Sequence, residues 1–120
     1  MKVLVTGSTQ WVDPEAIEST LDEYRQLHPE LIVVTGMADG ADQVARDWAR
    51  KHQVTLLAEP LTAGDYPGPM HRYNERMLSW EPDVVLAFKE DLDLIGRPQA
   101  GTEPMCLLAQ AADVVVRIFT

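Results

Sequence analysis

The stretch that decides the fold is LIVVTGMADGAD, residues 31–42, in which an apolar, β-branched run gives way to a glycine-rich turn and then to a helical pattern. A continuous apolar run predicts a strand that is covered on both faces, as in a parallel sheet. The helix that follows is predicted from one apolar stripe, formed by Ala41, Val44, Ala45, Trp48 and Ala49. Strand, turn and helix together predict an α/β unit.

The same pattern recurs along the chain. Comparable runs predict further strands at Val3–Thr6, Val54–Ala58, Val84–Phe88 and Val114–Phe119, with helical patterns between them. The first helix is predicted to start at Asp13-Pro14-Glu15, which supplies an N-cap carboxylate and a first-turn proline. The alternation predicts an α/β fold, a three-layer Rossmann-like sandwich with a five-stranded, mainly parallel sheet. We favour the strand order 3-2-1-4-5, with 2-1-3-4-5 as the alternative, and the sequence itself does not choose between them.

Length and charge restrict the classes of function. The chain has 120 residues, and 10 basic against 19 acidic residues give a formal net charge of −9. The length predicts a single domain over residues 1–120, and the charge speaks against nucleic acid and anionic membranes as partners. The lone Cys106 indicates a reducing compartment. Because the apolar runs are far shorter than the ~20 residues of a spanning helix, a cytoplasmic protein is expected.

In a parallel sheet of this type, ligands bind at the carboxyl ends of the strands, near the reversal of strand order. The loop after the first strand carries Gly7, Ser8 and Thr9, whose small side chains, hydroxyls and N–H groups suit a phosphate or carboxylate. The alternative interpretation is an ordinary strand-to-helix turn. Trp11 in the same loop is expected either to stack on a base or to cap the core.

The loop after the second strand contains Gly36 and Gly40 directly before a helix, so its backbone N–H groups could face a ligand. Asp39 and Asp42 stand at the positive end of that helix, where they would repel an anion. They therefore suit ribose hydroxyls better than phosphate. The alternative is that Asp39 only caps the helix.

The third predicted helix carries a polar side chain within an apolar face. That face is formed by Met70, Tyr73, Met77 and Trp80. Asn74 falls inside it and must bond either to loop backbone or to a ligand, because an unpartnered amide costs roughly 1–3 kcal/mol. Arg72 and Arg76, four residues apart, could clamp a phosphate or belong to a solvated face paired with Glu75 or Glu81.

Two further segments complete the predicted site. Gly101 and Thr102 open the last helix and combine free N–H groups with a hydroxyl, which makes them the best anion site in the sequence; otherwise Thr102 merely caps the helix. Lys89, Gly96 and Arg97 lie upstream on the same connection and could add charge. The proline- and glycine-rich segment 59–69 is long enough to form a lid, with Tyr66 as a possible stacking residue.

Several well-known site motifs are missing from the sequence. The histidines His28, His52 and His71 are scattered, and with one cysteine they form no zinc constellation. Neither a P-loop, nor a nucleophile elbow, nor a G-x-G-x-x-G turn after the first strand is present. We therefore expect no metal and no cofactor, and an ordinary NAD-binding domain is disfavoured.

Taken together, the loops resemble those of the SLOG superfamily of Rossmann-like nucleotide-ligand-binding proteins, in particular its small, often phage-encoded YspA/YpsA-related group. Residues 36–42 are similar to a GGAxGAD pattern, residues 68–77 to a GPxRNxxM pattern, and Gly101-Thr102 to a final GGxGT element. Met37 replaces the second glycine of the first pattern, Tyr73 stands where arginine precedes asparagine, and residues 97–100 interrupt the last element.

The resemblance implies a module that binds a nucleotide or nucleotide-derived small molecule, as a sensor or a sequestering protein. The alternative is an enzyme acting on an N-glycosidic bond, of the LOG phosphoribohydrolase or deoxyribosyltransferase type, with Asp39, Asp42 and Glu103 as candidate acids. LOG proteins carry an acid three residues after the threonine, whereas Met105 stands there in this chain, so binding is favoured over catalysis. A DNA-binding branch of the superfamily is disfavoured by the charge. Self-association is a further possibility, because Met70, Met77, Trp48 and Trp80 exceed what one small sheet needs.

Overall fold

Strands and helices alternate throughout the computed structural model, which describes residues 1–62, 71–92 and 102–120. The described strands are β1 (Lys2–Gly7), β2 (Ile32–Thr35), β3 (Thr55–Ala58), β4 (Val84–Phe88) and β5 (Val115–Phe119). The described helices are α1 (Pro14–Leu27), α2 (Ala41–Lys51), α3 (His71–Leu78) and α4 (Thr102–Ala111). The predicted α/β alternation is confirmed, with strand bounds that differ from the prediction by one residue at most at either end.

The five strands form one sheet in the order β3-β2-β1-β4-β5, and every neighbouring pair is parallel. The favoured strand order is therefore confirmed, and the alternative order is wrong. The order reverses between β1 and β4, where Gly7 is in register with Phe88. The carboxyl ends of β1 and β4 thus lie side by side at the point where such sheets bind ligands.

Successive residues of a strand point to opposite faces of the sheet and contribute to two apolar layers, one on each face. Val3 and Val5 of β1 pack with α1 and α2 on one face, whereas Leu4 packs with α3 and α4 on the other. Each fully buried aliphatic side chain contributes roughly 1.5–3 kcal/mol. The central strands are therefore covered on both faces, as their continuous apolar runs predict.

The start of α1 follows its local sequence. Asp13 caps the helix, its Oδ1 accepting a hydrogen bond from the Ala16 N–H at 3.3 Å, and Pro14 follows in the first turn. At 14 residues α1 is the longest helix of the described ranges. In those ranges no helix has both the length and the apolar character needed to cross a membrane.

Two expectations about apolar side chains are wrong. Trp80 does not continue the buried stripe of α3, because the helix ends at Leu78 and helical periodicity no longer applies beyond it. Its side chain is 40% exposed, and its indole N–H donates to Glu59 Oε2 at 3.4 Å. Strand β5 is not covered on both faces: as an edge strand it leaves Val115 62% exposed.

Two of the four side chains that suggested self-association are buried in the core of a single chain. Trp48 and Met77 are both buried inside the chain's own core layers. The Trp48 indole N–H also donates to Asp22 Oδ1 of α1 at 2.9 Å. These side chains are accounted for by packing within one copy of the chain.

Candidate functional site

The loop after β1 is packed tightly against its neighbours. A Cβ atom on Gly7 would lie 2.2 Å from the Phe88 carbonyl oxygen and 2.7 Å from Ala41 Cβ. The Ser8 N–H donates to the same Phe88 carbonyl at 2.8 Å. Glycine at position 7 therefore allows β1, β4 and α2 to approach each other.

The loops after β1 and β2 are joined by their backbones. Ser8 O accepts a hydrogen bond from the Ala41 N–H at the start of α2, at 3.0 Å, and Ser8 Oγ accepts from the Gln10 N–H at 2.9 Å. Thr9 is exposed beside this junction. We call the surface formed by residues 7–10 and 36–40 the strand-end rim.

Gly40 occupies a backbone conformation that side chains rarely adopt. Its φ is +71° and its ψ is −125°, outside the left-handed region that asparagine tolerates. A Cβ at this position would also lie 2.3 Å from Ser8 O. Only glycine therefore fits at position 40, where the two loops of the rim meet. The neighbouring Asp39 is exposed to solvent.

Trp11 lies at the end of the rim and packs inward. Its ring meets Phe88 edge-on, with centroids 5.6 Å apart, and its indole N–H donates to the Asp13 carbonyl oxygen. The side chain contacts the core layer of α1 and α2. Of the two expectations for Trp11, this arrangement matches the one in which it caps the core.

Asp42 points away from the rim into the protein. Asp42 is 7% exposed, and the N–H groups of Ala38 and Gly36 lie near its carboxyl, where they favour the ionised form. Burial raises the pKa of Asp42 from 3.8 to about 7, an effect only partly offset by the Ala38 N–H and the Arg46 charge. A carboxyl with a pKa near neutrality in a candidate site is a known mark of function, but here it contacts the chain's own loop.

Two side chains that the site prediction left out hold the same loop. Arg46 is buried, and its Nη1 donates to the carbonyl oxygens of Gly36 and Ala38, each at 2.8 Å. Tyr73 of α3 accepts from the Met37 N–H at 2.9 Å and donates to the Glu59 carbonyl at 2.7 Å. The acid–base spacing of Asp42 and Arg46, four residues apart on one helix, was the available sequence signal.

The polar residues of α3 are distributed between surface and interior. Arg72 is exposed, whereas Asn74 is 2% exposed and engaged in an interaction inside the protein. Arg76 binds Glu59, with Nε 2.8 Å from Oε1. Its main described partner is therefore at the end of β3, and not Glu75 or Glu81 as one interpretation of the sequence suggested.

An ion pair joins the end of β4 to the start of α4. Lys89 Nζ lies 2.6 Å from Glu103 Oε2, and the Glu103 side chain is 1% exposed. Thr102, the first residue of α4, is buried beside it. The charge of Lys89, which was expected to attract a ligand anion, is balanced by this carboxylate.

Part of the predicted site lies outside the described residues. This concerns Gly101, Gly96 and Arg97, and the lid segment from residue 63 onward with Tyr66. The described residues bring together Gly7, Ser8, Thr9, Gly36, Asp39 and Gly40 in the rim. Asp42 lies beneath it, and Tyr73 ties the helix that carries Asn74 and Arg72 to the rim.

A concave surface on α1 suits an anion poorly. Among the described residues, two depressions of about 450 and 430 Å³ lie along α1. The first is lined by Asp13, Glu15, Ala16, Ser19 and Asp22. The carboxylates of this lining repel phosphate. Within the described ranges, no group of three or more metal-ligating side chains is present.

Replacing Tyr73 by phenylalanine is expected to lower the free energy of unfolding by about 1–2 kcal/mol, because the part-buried Met37 N–H loses its acceptor and the Glu59 carbonyl oxygen loses its donor. Urea unfolding monitored by tryptophan fluorescence measures this difference. Tyr24→Phe is the matched control, since its hydroxyl bonds Arg117 at an exposed position, at 3.1 Å. Equal losses in the two variants would contradict the role assigned to Tyr73.

The parallel sheet, the helices on both faces and the loops joined at the reversal of strand order define a Rossmann-like α/β protein. The sequence profile of the YspA, cpYpsA-related SLOG family matches residues 1–63, more than half of the chain. The chain belongs to this family. The match includes the whole strand-end rim. No curated protein and no solved structure matches the chain. Membership of the family suggests a nucleotide-related ligand-binding role or a LOG-like role.

Proposed function

We propose that the protein binds a nucleotide or nucleotide-derived small molecule at the carboxyl ends of its strands, as a sensor or a sequestering protein. The observation that carries this proposal is the junction between Ser8 O and the Ala41 N–H. It joins two loops into one continuous rim beside the reversal of strand order, where open parallel sheets bind ligands. The family match covers this same rim.

The exposure of the rim residues supports particular roles. Asp39 faces solvent, so its carboxylate is the one available to the hydroxyls of a ribose, whereas Asp42 is engaged beneath the loop. Thr9 is exposed as well, and its backbone lies against Gly40, the residue after Asp39. Gly101 and Thr102 remain the proposed phosphate subsite, and Arg72 on the first turn of α3 a further phosphate contact.

The candidate acids favour binding over catalysis. A general acid must reach the bond that it protonates. Asp42 and Glu103 are both buried and bonded to partners of the chain's own, to backbone N–H groups and to Lys89 respectively. Of the three acids proposed from the sequence, Asp39 alone is exposed. The described geometry therefore supports a ligand contact better than a pair of acid–base carboxylates.

Isothermal titration calorimetry with a panel of nucleosides, nucleoside monophosphates, cyclic nucleotides and ADP-ribose is expected to reveal at least one ligand. Asp39→Asn should lower the affinity for that ligand about tenfold, because a hydrogen bond between a carboxylate and a hydroxyl contributes roughly 1.5–3 kcal/mol. Glu30→Gln makes the same charge change at an exposed position just before β2, at the opposite end of the strand, and should leave the affinity unchanged.

Two results would overturn the proposal. One is a folded protein that binds none of these compounds. The other is release of free base from a nucleoside monophosphate, lost in Asp42→Asn, which would show an N-glycosidic-bond hydrolase instead of a binding module.

A further inference from the structure

Strand β5 forms an open edge of the described sheet. It pairs with β4 on one side and is the outermost strand on the other. The Phe119 carbonyl oxygen accepts a hydrogen bond from the Lys89 N–H at the end of β4, at 3.0 Å. Because backbone groups alternate in direction along a strand, those of Val116 and Ile118 point away from β4. Such a row of outward N–H and C=O groups is a template for pairing with another strand.

Both faces of β5 expose aliphatic side chains. Successive residues of a strand point to opposite faces, and Val115 and Ile118, three residues apart, are 62% and 41% exposed. Ala112, in the turn between α4 and β5, is exposed as well. A helix or loop laid on one face would leave the other face uncovered, whereas a strand added to the edge brings side chains to both faces. The exposed side chains therefore fit strand addition.

The charged residue of β5 does not block this edge. The Arg117 guanidinium lies over the rings of Tyr24 and Phe119, at 5.8 and 5.2 Å, and its Nη1 donates to the Tyr24 hydroxyl at 3.1 Å. It is thus held on the face of the sheet that α1 covers. Natural edge strands are commonly protected by charges that prevent pairing, whereas an arginine held on this face leaves the edge backbone accessible.

The charge order around β5 is complementary to itself. Residues 113–117 read Asp-Val-Val-Val-Arg, so an acid and a base stand at equal distances on either side of Val115. When two such segments run antiparallel with Val115 opposite Val115, Arg117 of each copy lies opposite Asp113 of the other. In the same register the outward Val116 N–H faces the Val114 carbonyl of the other copy. Cross-strand pairs of opposite charge stabilise antiparallel strands.

Charge also selects the register and the occupant of the edge. A register centred on Arg117 would place two cations opposite each other, and one centred on Val116 would place Arg117 opposite Val115 without an ion pair. Residues 104–120 contain one acid and one base, so the net charge of −9 comes from the rest of the chain. Two copies can therefore meet at β5 without the repulsion between like charges that their excess of acid causes elsewhere.

We propose that two copies of this chain pair through β5, antiparallel about a two-fold axis at Val115, so that their five-stranded sheets become one continuous sheet. Every contact of such an interface occurs twice. The ion pair between Arg117 and Asp113 forms on both sides of the axis, and Ile118 of each copy covers Ala112 of the other. Strand β4 separates β5 from β1, so the pairing leaves the strand-end rim uncovered and does not depend on the proposed ligand.

Sedimentation equilibrium of the natural protein, without any ligand, is expected to show a species of twice 13.4 kDa. Arg117→Glu places two acids opposite each other on both sides of the axis and should raise the dissociation constant of the dimer about thirtyfold. Asp113→Lys should have the same effect through two pairs of cations. Arg50→Glu makes the same charge change as Arg117→Glu at an exposed position of α2 and should leave the dissociation constant unchanged.

The double variant Asp113→Lys, Arg117→Glu restores both ion pairs with reversed polarity and should return the dissociation constant to within about threefold of the natural value. A natural protein that stays monomeric at about 100 μM would overturn the proposal, as would a double variant that dimerises no better than the single ones. Should Asp113→Lys fail to fold, Val116→Pro decides. It removes an N–H that points away from β4, so the chain keeps its own sheet; loss of the dimer supports the pairing, and an intact dimer overturns it.

Discussion

Raising the pH from 4 to 8 is expected to remove about 4 kcal/mol of Asp42's contribution to the free energy of unfolding. The folded-state pKa of Asp42 is about 7 against 3.8 for the ordinary group, and each pKa unit corresponds to about 1.36 kcal/mol. Between these two values the folded protein binds more protons than the unfolded chain. Stability from this group is therefore fully present below pH 4 and lost as the pH passes 7.

Denaturant unfolding of the natural protein and of Asp42→Asn at pH values from 4 to 8 measures this contribution as the difference between the two pH profiles. Other carboxylates contribute equally to both profiles and cancel. Asp39→Asn should reproduce the natural profile, because Asp39 is exposed. Parallel profiles for Asp42→Asn and the natural protein would show that the Asp42 carboxyl is already ionised in the folded state at acidic pH.

Gly40→Ala is expected to destabilise the protein by about 3 kcal/mol. The backbone conformation of Gly40, φ +71° and ψ −125°, is strained for any residue with a Cβ. The new Cβ would also approach Ser8 O and the Thr9 backbone at 2.3–2.6 Å, atoms that cannot move aside as a side chain would. Relief requires the two loops of the rim to separate, which would break the hydrogen bond between Ala41 N–H and Ser8 O.

Thermal and urea unfolding measure this loss of stability. Gln43→Ala is the control: Gln43 is exposed on the same helix, so its replacement should change the free energy of unfolding by less than about 0.5 kcal/mol. Gly40→Asn tests whether the destabilisation comes from the unusual backbone conformation of residue 40 or whether the loop adopts an ordinary left-handed turn. Asparagine tolerates the ordinary left-handed region but not this one, so its loss should match that of alanine. A near-neutral Gly40→Asn would mean that the loop adopts a different turn.

Sequence patterns were sufficient to predict those structural features that are determined by residues close together in the chain. The positions of the strands, the capping of α1 by Asp13 and the burial of Tyr73 and Met77 all follow from local periodicity and turn chemistry. Trp80 was misplaced because the same periodicity was extended past the end of a helix.

The candidate site was predicted less completely because its chemistry depends on contacts between distant segments. The sequence predicted the same ribose-binding role for Asp39 and Asp42, yet Asp42 is enclosed by Gly36 and Tyr73 while Asp39 is exposed. The space beside Gly7 is filled by Ala41 and Phe88, a packing role that the sequence pattern did not show. Such assignments require the packing of α2 and α3 against the loops, which no local pattern encodes.

The contact of Tyr73 with Gly36 and Met37 limits how this protein can be engineered. An arginine at position 73, as in the pattern that the chain resembles, has no atom that could accept from the Met37 N–H, and its cation would enter the space beside the Asp42 carboxyl. Transplanting residues 36–42 between relatives should therefore succeed only when the residue at 73 is carried with them. Residues 36–42 and the first turn of α3 should therefore be exchanged together.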